Sequence, residues 1–179
     1  MPRPIPENGS AGAGTMSNLT GELFKQLAGV TDIVHIPYKG SSPGLTDLVS
    51  GHIPMMALNL SDQAIELHKS GKIRILAVAS GQRVAALPEV PTGSEEGYPA
   101  FVAQLFLGLF APAGTPAPII EQISQTTQQV MGDKAFLERL TDQGLEPVIG
   151  STPATATKYV TDEIARWRPV LSAAGMKAG

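Results

Sequence analysis

Between residues 9 and 18 the chain reads Gly9-Ser10-Ala11-Gly12-Ala13-Gly14-Thr15-Met16-Ser17-Asn18. Glycine lets the backbone adopt positive φ angles and approach a ligand closely, and threonine is a good N-cap for a helix that follows. A glycine-rich loop that leads into a helix exposes free N–H groups at the positive end of the helix dipole. The stretch therefore predicts an anion-binding site, with a plain strand-to-helix turn as the alternative.

Helical and apolar extended segments alternate after this loop. The pattern predicts helices over about 16–28 and 63–70, a further helix capped by Ser41 or Ser42, and strands over 32–38, 53–58 and 73–79. Such alternation with short connections predicts a parallel α/β sheet. Ligands bind at the carboxyl ends of the strands in such sheets. We therefore expect three loops to converge on one edge, at Ser10, at Tyr38–Ser41 and at Asn59–Ser61.

The pattern changes after residue 80. Prolines and glycines break up the segment 80–99, and a long apolar strand is predicted over 101–110. Helices are predicted over 118–131, 134–143 and about 152–173, with a short strand over 145–149. These strands are too few to form a sheet of their own. We therefore expect an α/β lobe over 9–100, and a crossing strand and helices over 101–179 that belong to an incomplete other lobe.

Composition limits the function classes. The chain has 179 residues, a net charge of −3 and no cysteine, which excludes a disulfide, a thiolate nucleophile and a zinc-finger site. No basic face is visible, which argues against a nucleic-acid partner. No apolar run is long enough to span a membrane. The proline-rich start has no signal-peptide core, so residues 1–8 are predicted to be a tail.

No residue pattern indicates catalysis or a metal site. The loop lacks the third glycine of a dinucleotide-binding motif and the Gly-Lys-Ser/Thr of a phosphate-binding loop. The three histidines have no metal-ligand spacing, and His35 is predicted to be a hydrogen-bonded structural histidine. The predicted edge instead offers hydroxyls, amides and backbone N–H groups, which bind a carboxylate without transforming it. The residues therefore indicate recognition.

Several motifs resemble a known family in order and spacing. They are Gly12–Lys25, His35–Pro43 with Leu45–Leu48, Gly71–Val78, Leu87–Thr92 and Gly108–Pro116. Together they resemble the substrate-binding receptors of tripartite tricarboxylate transporters, also called the Bug family. The resemblance covers nearly the whole chain from Gly9 onward.

The resemblance implies a periplasmic binding protein of two α/β lobes (type II) that close on a small carboxylate and deliver it to membrane transporter subunits. It implies no catalysis and no cofactor. One ligand carboxylate would lie at the start of the helix after the glycine loop. The candidate ligand-binding residues are those that the resemblance implies together with those at the predicted edge of the sheet. They are Ser10, Ala13, Gly14, Thr15, Asn18, Tyr38, Gly40, Ser41, Asn59 and Phe106.

The chain also departs from the full receptors that it resembles. It opens at the second lobe, so we expect a truncated receptor that lacks the signal peptide and most of the first lobe. Family members are periplasmic, whereas this chain would be cytoplasmic if it were expressed as given. Two alternatives remain open. One is a homodimer formed through the exposed apolar segment 101–110 and the C-terminal helices. The other is an α/β enzyme that uses Thr15 or Ser10.

Overall fold

A computed structural model describes residues 6–142 and 145–176. Three short strands and three helices alternate in the first part of the chain, and three helices follow in the second. In chain order the elements are β1 (Glu7–Ser10), α1 (Met16–Ala28), β2 (Val34–Pro37), α2 (Ser41–Val49), β3 (Met55–Met56), α3 (Asp62–Lys69), α4 (Ala117–Val130), α5 (Lys134–Asp142) and α6 (Pro153–Ala173).

The three strands form a parallel sheet in the order β2-β1-β3. In the middle strand, Asn8 pairs with His35 of β2 on one side and with Met55 of β3 on the other. Helix α1 packs on β1 and β2, and α2 packs on β1 and β3. The predicted α/β class with a parallel sheet is confirmed. Since all three strands run the same way, the loops that follow them emerge at one edge.

The predicted tail over residues 1–8 is wrong at its end. Glu7 and Asn8 belong to the middle strand, and Asn8 is buried. Proline disfavours a central strand, but all three prolines of this segment precede Glu7. They therefore do not prevent Glu7 and Asn8 from pairing with the neighbouring strands. Residues 1–5 lie outside the described residues.

Three predicted strands are not strands in the described residues. Over 73–79 there is only one isolated bridge, between Val78 and Thr92, and 101–110 and 145–149 have no regular structure. The strands after α1 and α2 are also shorter than predicted, and Val34 of β2 is 45% exposed instead of buried. An apolar pattern indicates a segment that favours burial, but a strand also requires a hydrogen-bonding neighbour.

The helix ends follow their capping residues. Thr15 caps α1, Gly29 ends it in the left-handed conformation, and Ser61 caps α3. The prediction for α2 is wrong in detail, because its N-cap is Gly40 and Ser41 is its first helical residue. Gly40 has φ 103°, which a residue with a side chain rarely adopts. The N-terminus of α2 therefore has no side-chain cap.

The chain divides into two compact units. One consists of the residues up to Leu105 together with those from Pro169 onward, and the other is Phe106–Arg168. The expected division into lobes at residue 100 stays a prediction. The first unit has a core cluster of Ile65, Val78, Leu87 and Val90, and further buried side chains at Leu23, Ile33, Leu45 and Ile53. In the second unit, Trp167 is the one buried residue among those described.

Among the described helices, none combines the length and the apolar character that crossing a bilayer requires.

Candidate functional site

Backbone hydrogen bonds join the three loops at the carboxyl edge of the sheet. Tyr38 N–H donates to the Ser10 carbonyl at 3.0 Å, and Gly40 N–H donates to the Ala11 carbonyl at 3.0 Å. From the third loop, Ala57 N–H donates to the Gly9 carbonyl at 3.2 Å. The loop after β1 is thus held between the segments that follow β2 and β3. These bonds include the predicted Ser10 and residues of Tyr38–Ser41, whereas the convergence of Asn59–Ser61 stays a prediction.

The glycine-rich loop requires glycine at two positions. Gly12 has φ +135°, and a Cβ there would lie 3.1 Å from the Tyr38 carbonyl oxygen. Gly14 has φ +75°, with open space where a Cβ would be. The first glycine therefore permits a close approach of two backbones, and the second permits a turn into α1.

Thr15 and Asn18 hold the loop against the first turn of α1. The Thr15 hydroxyl donates to the Gly12 carbonyl at 2.7 Å and accepts from Asn18 N–H at 3.3 Å. The Asn18 side-chain oxygen accepts from Gly14 N–H at 3.1 Å, and Asn18 is buried. Both side chains are therefore hydrogen-bonded within the loop, as a capping residue and its helical neighbour are expected to be.

Free backbone donors lie at the starts of both helices. Ala13 is exposed, and neither its N–H nor that of Met16 bonds a described residue. The N-cap of α2 is Gly40, which has no side chain to cap the helix. The Ser41 side chain is hydrogen-bonded to no described residue. We call residues 12–16 and 40–42 the anion cradle. The hydrogen bond from Gly40 N–H to the carbonyl of Ala11, the residue before Gly12, ties residues 40–42 to the glycine-rich loop.

Ser10 lies beneath the cradle and not on its surface. Its side chain is wholly buried, and its Oγ lies 2.6 Å from His35 Nε2. The predicted direct contact of Ser10 with a ligand does not fit this burial. The same burial argues against the enzyme alternative at Ser10, since a nucleophilic hydroxyl must reach its substrate. His35 is hydrogen-bonded as predicted.

Three other predicted residues lie at or after the same edge. The Tyr38 hydroxyl donates to Asp47 Oδ2 at 2.8 Å, so that hydroxyl is already engaged. This bond raises the pKa of Tyr38, and it is the main cause that lowers the pKa of Asp47, followed by the hydrogen bond from His52. Gly40 contributes its N–H to the loop, and Asn59 is exposed.

Phe106 is not part of this arrangement as described. It belongs to the other compact unit, where its ring packs edge to face on Tyr159 with 5.2 Å between the ring centroids. Its expected place in a ligand site stays a prediction.

Two supporting residues were not predicted. Ser17 is buried, accepts from Ala11 N–H at 3.0 Å and donates to the Ala57 carbonyl. Asn8 accepts from Ala57 N–H at 3.0 Å. A small polar residue in the first turn of a helix is a signal that could have indicated Ser17. Because Asn8 was predicted to lie in a tail, its contact with the loop after β3 was not expected.

A cavity of about 450 Å³ adjoins the loop in the first unit. Ala13 and Asn18 line one part of it, and His35 lines another. Glu22 and Lys25 also line it, paired at 3.1 Å. Burial is the main cause that lowers the pKa of His35; the charge of Glu22 raises this pKa by less, and the charge of Lys25 lowers it further. Among the described residues no group of three acidic, histidine or cysteine side chains could hold a metal ion.

Comparison with known proteins identifies the family of the chain. The family model described as "Tripartite tricarboxylate transporter family receptor" matches residues 6–176. The chain belongs to this receptor family. The match confirms the resemblance seen in the sequence, and it confirms the assignment to receptors rather than to enzymes. It also begins at Pro6, in agreement with the assignment of Glu7 and Asn8 to the sheet.

Individual members of the receptor family are similar along most of the chain. BugT of Bordetella pertussis is 37% identical over 164 residues, which are 92% of this chain and 49% of BugT. A solved periplasmic transporter is 32% identical with a TM-score of 0.79, covering 96% of this chain and 56% of that one. MatC from Rhodopseudomonas palustris, solved with bound malate, is 30% identical with a TM-score of 0.74, covering 93% of this chain and 56% of MatC.

These likenesses establish the fold of a periplasmic binding protein, as predicted. The chain spans about half the length of BugT and slightly more than half of the two solved proteins. The anion cradle lies within residues 6–176, which the family model matches.

Proposed function

We propose that this chain supplies the carboxylate-binding part of an extracytoplasmic solute receptor. One carboxylate of a small acid lies in the anion cradle. It accepts hydrogen bonds from the backbone N–H groups of Ala13 and Met16 and from the start of α2 at Ser41. Gly14, Thr15 and Asn18 hold the loop in shape. Binding involves no cofactor and no covalent step.

One observation carries this proposal: two helix N-termini with free donors begin at the same edge of the sheet, and the loops that lead into them are joined by the Gly40–Ala11 hydrogen bond of 3.0 Å. Each helix start carries a partial positive charge of about half an elementary charge. Because α2 has no side-chain cap, its first N–H groups are available to a ligand. Two such ends next to one another favour an anion more than one end does.

The receptor family and the malate-bound MatC structure support a carboxylate as the anion. In this proposal the ligand's other groups are held by the remainder of a longer receptor, which also delivers the ligand to the membrane subunits of a transporter. Closure around the ligand would remove water and strengthen the hydrogen bonds in the cradle.

Calorimetric titration with malate and with its uncharged diamide tests the proposal. The two compounds have the same carbon skeleton, but only malate carries carboxylates. We expect saturable binding of malate and none of the diamide, together with weaker malate binding at higher salt. Equal binding of both compounds, or of neither, would contradict a carboxylate site in this chain.

A specific observation also favours self-association as a second candidate. Leu107, Leu109 and Phe110 are 77%, 77% and 74% exposed, and their backbone belongs to no strand. Contiguous exposed apolar surface usually marks an interaction site. A homodimer formed through this segment would cover it without any ligand.

A further inference from the structure

The Ser10 hydroxyl joins the glycine-rich loop to the neighbouring strand. Ser10 ends β1 and is wholly buried. Its Oγ accepts from Gly12 N–H at 3.1 Å and lies 2.6 Å from His35 Nε2. His35 lies on β2, where it pairs in register with Asn8. A side chain from the next strand thus reaches beneath the loop.

The hydrogens at Ser10 show why His35 matters. A serine hydroxyl has one proton and two lone pairs. Gly12 N–H occupies one lone pair of the Ser10 oxygen, since an amide N–H can only donate. The proton and the other lone pair are left, and the hydroxyl can either donate to His35 or accept from it. When it accepts from His35, its proton is directed to the Gly12 carbonyl, 3.2 Å away. His35 therefore decides which way the hydroxyl is turned.

We propose that His35 is the positioning residue of the anion cradle, which fixes the Gly12 peptide through the Ser10 hydroxyl. This inference rests on the proposed function, because the Gly12 peptide precedes Ala13, one of the cradle's donors. His35 touches no ligand in this scheme. It keeps the loop in one conformation, so that binding spends no free energy on ordering it.

The surroundings of His35 agree with this role. Glu22 and Lys25 of α1 line the same cavity. The end of α6 and the residues after it contribute Ala173, Ala174 and Met176, which carry no charge. Burial favours the neutral imidazole. A neutral ring either donates or accepts at Nε2 according to its tautomer, so each tautomer of His35 sets one orientation of the Ser10 hydroxyl.

Hydrogen exchange at the Gly12 amide tests the proposal without any ligand. In the His35→Leu and Ser10→Ala variants we expect this amide to exchange about tenfold faster, as the loss of a buried hydrogen bond implies. The double variant should be no faster than Ser10→Ala, since both changes break one linkage. His35→Gln, whose side-chain amide can donate or accept a hydrogen bond as the imidazole does, should restore slow exchange.

Two matched controls separate positioning from general loss of stability. His52→Leu removes another histidine, whose Nδ1 lies 3.1 Å from Asp47 at an exposed position, and it should leave Gly12 unchanged. The Val78 amide, which bonds the Pro91 carbonyl at 2.9 Å, reports on the separate core cluster. Equal acceleration at Gly12 and Val78 in both single variants would overturn the proposal, as would unchanged exchange at Gly12.

Malate titration of the same variants links positioning to binding. We expect the dissociation constant of His35→Leu to rise about tenfold and that of His35→Gln to stay near the original value. Acceleration at Gly12 without a change in affinity would overturn the link to the cradle. If the unmodified chain does not bind malate while Gly12 responds as expected, the proposed function fails and the positioning of the loop stands.

Discussion

Gly14 and Gly29 form a matched pair of residues at opposite ends of α1. Their φ angles are +75° and +66°, and a Cβ at either would meet nothing within 4 Å. Alanine at each should therefore cost about 1 kcal/mol of unfolding free energy through backbone strain alone. Only Gly14 belongs to the anion cradle.

We therefore predict similar losses of stability in Gly14→Ala and Gly29→Ala, measured by urea unfolding, but weaker malate binding in Gly14→Ala only. The comparison cancels the general effect of strain on folding. Equal affinity losses in the two variants would show that the loop has no special part in binding.

Thr15 offers a second test at the scale of one residue. Thr15→Ala removes both the cap of α1 and the 2.7 Å hydrogen bond to Gly12. We expect a loss of about 1 kcal/mol in stability and of about 1 kcal/mol or more in malate binding by calorimetry. Thr15→Ser keeps the hydroxyl and should retain both. An unchanged affinity in Thr15→Ala would place the carboxylate elsewhere.

At the scale of elements, the segment 80–96 is tied together by one carboxylate. Arg83 Nη2 lies 2.9 Å from Glu95 Oε1, and Thr92 N–H donates to Glu95 Oε2 at 2.8 Å. The Arg83 side chain is the main cause that lowers the pKa of Glu95 from 4.5 to about 2, and the Thr92 backbone is the next. The folded state thus holds Glu95 ionised where the unfolded state would protonate it.

The contribution of Glu95 to stability is therefore present above pH 4.5 and lost as the pH falls through about 2. We predict that Glu95→Gln shows a smaller fall in its thermal midpoint than the unmodified chain between about pH 5 and about pH 2.5. Because the carboxylate is 44% exposed, added salt should reduce the difference. Parallel pH curves for the two proteins would refute the assignment.

The elements that could be predicted from the sequence are those with local determinants. Helix α1 begins after Thr15 and ends at Gly29 as predicted, because cap and stop residues act within one turn. In the segment 73–79, burial alternates over 73–77, where Arg74 and Leu76 are exposed between half-buried neighbours, and the alternation stops at Val78, which is buried. The missing strand partner of this segment is a non-local property, which a local pattern does not contain.

The candidate site divides in the same way. Gly12, Gly14 and Thr15 could be identified because the loop's conformation demands those residue types. Ser17 and the exact role of Ser10 could not, since they depend on contacts with Ala57 and His35, 40 and 25 residues away in the chain. The sequence therefore indicated the glycine-rich loop, while the structure was needed to show which of its side chains are exposed and which are buried beneath it.

At the scale of the whole molecule, the exposed apolar segment predicts concentration-dependent self-association of the chain. Leu107→Asp with Leu109→Asp should abolish it, because charged side chains resist burial in an interface. Leu76→Asp is a matched control, since Leu76 is 69% exposed and lies in the other unit. Sedimentation velocity over a concentration series measures the effect. A monomer at every concentration, or equal effects of both changes, would contradict it.

The central claim is that the two helix starts at the edge of the sheet hold a carboxylate. Titration of the ¹⁵N-labelled chain with malate, followed residue by residue in amide spectra, tests it most directly. We predict saturable shifts at the amides of Ala13, Met16 and Ser41 with one dissociation constant, and no shift at Val78 in the separate core cluster. Saturable binding that leaves those three amides unmoved, or no binding at all, would contradict the account.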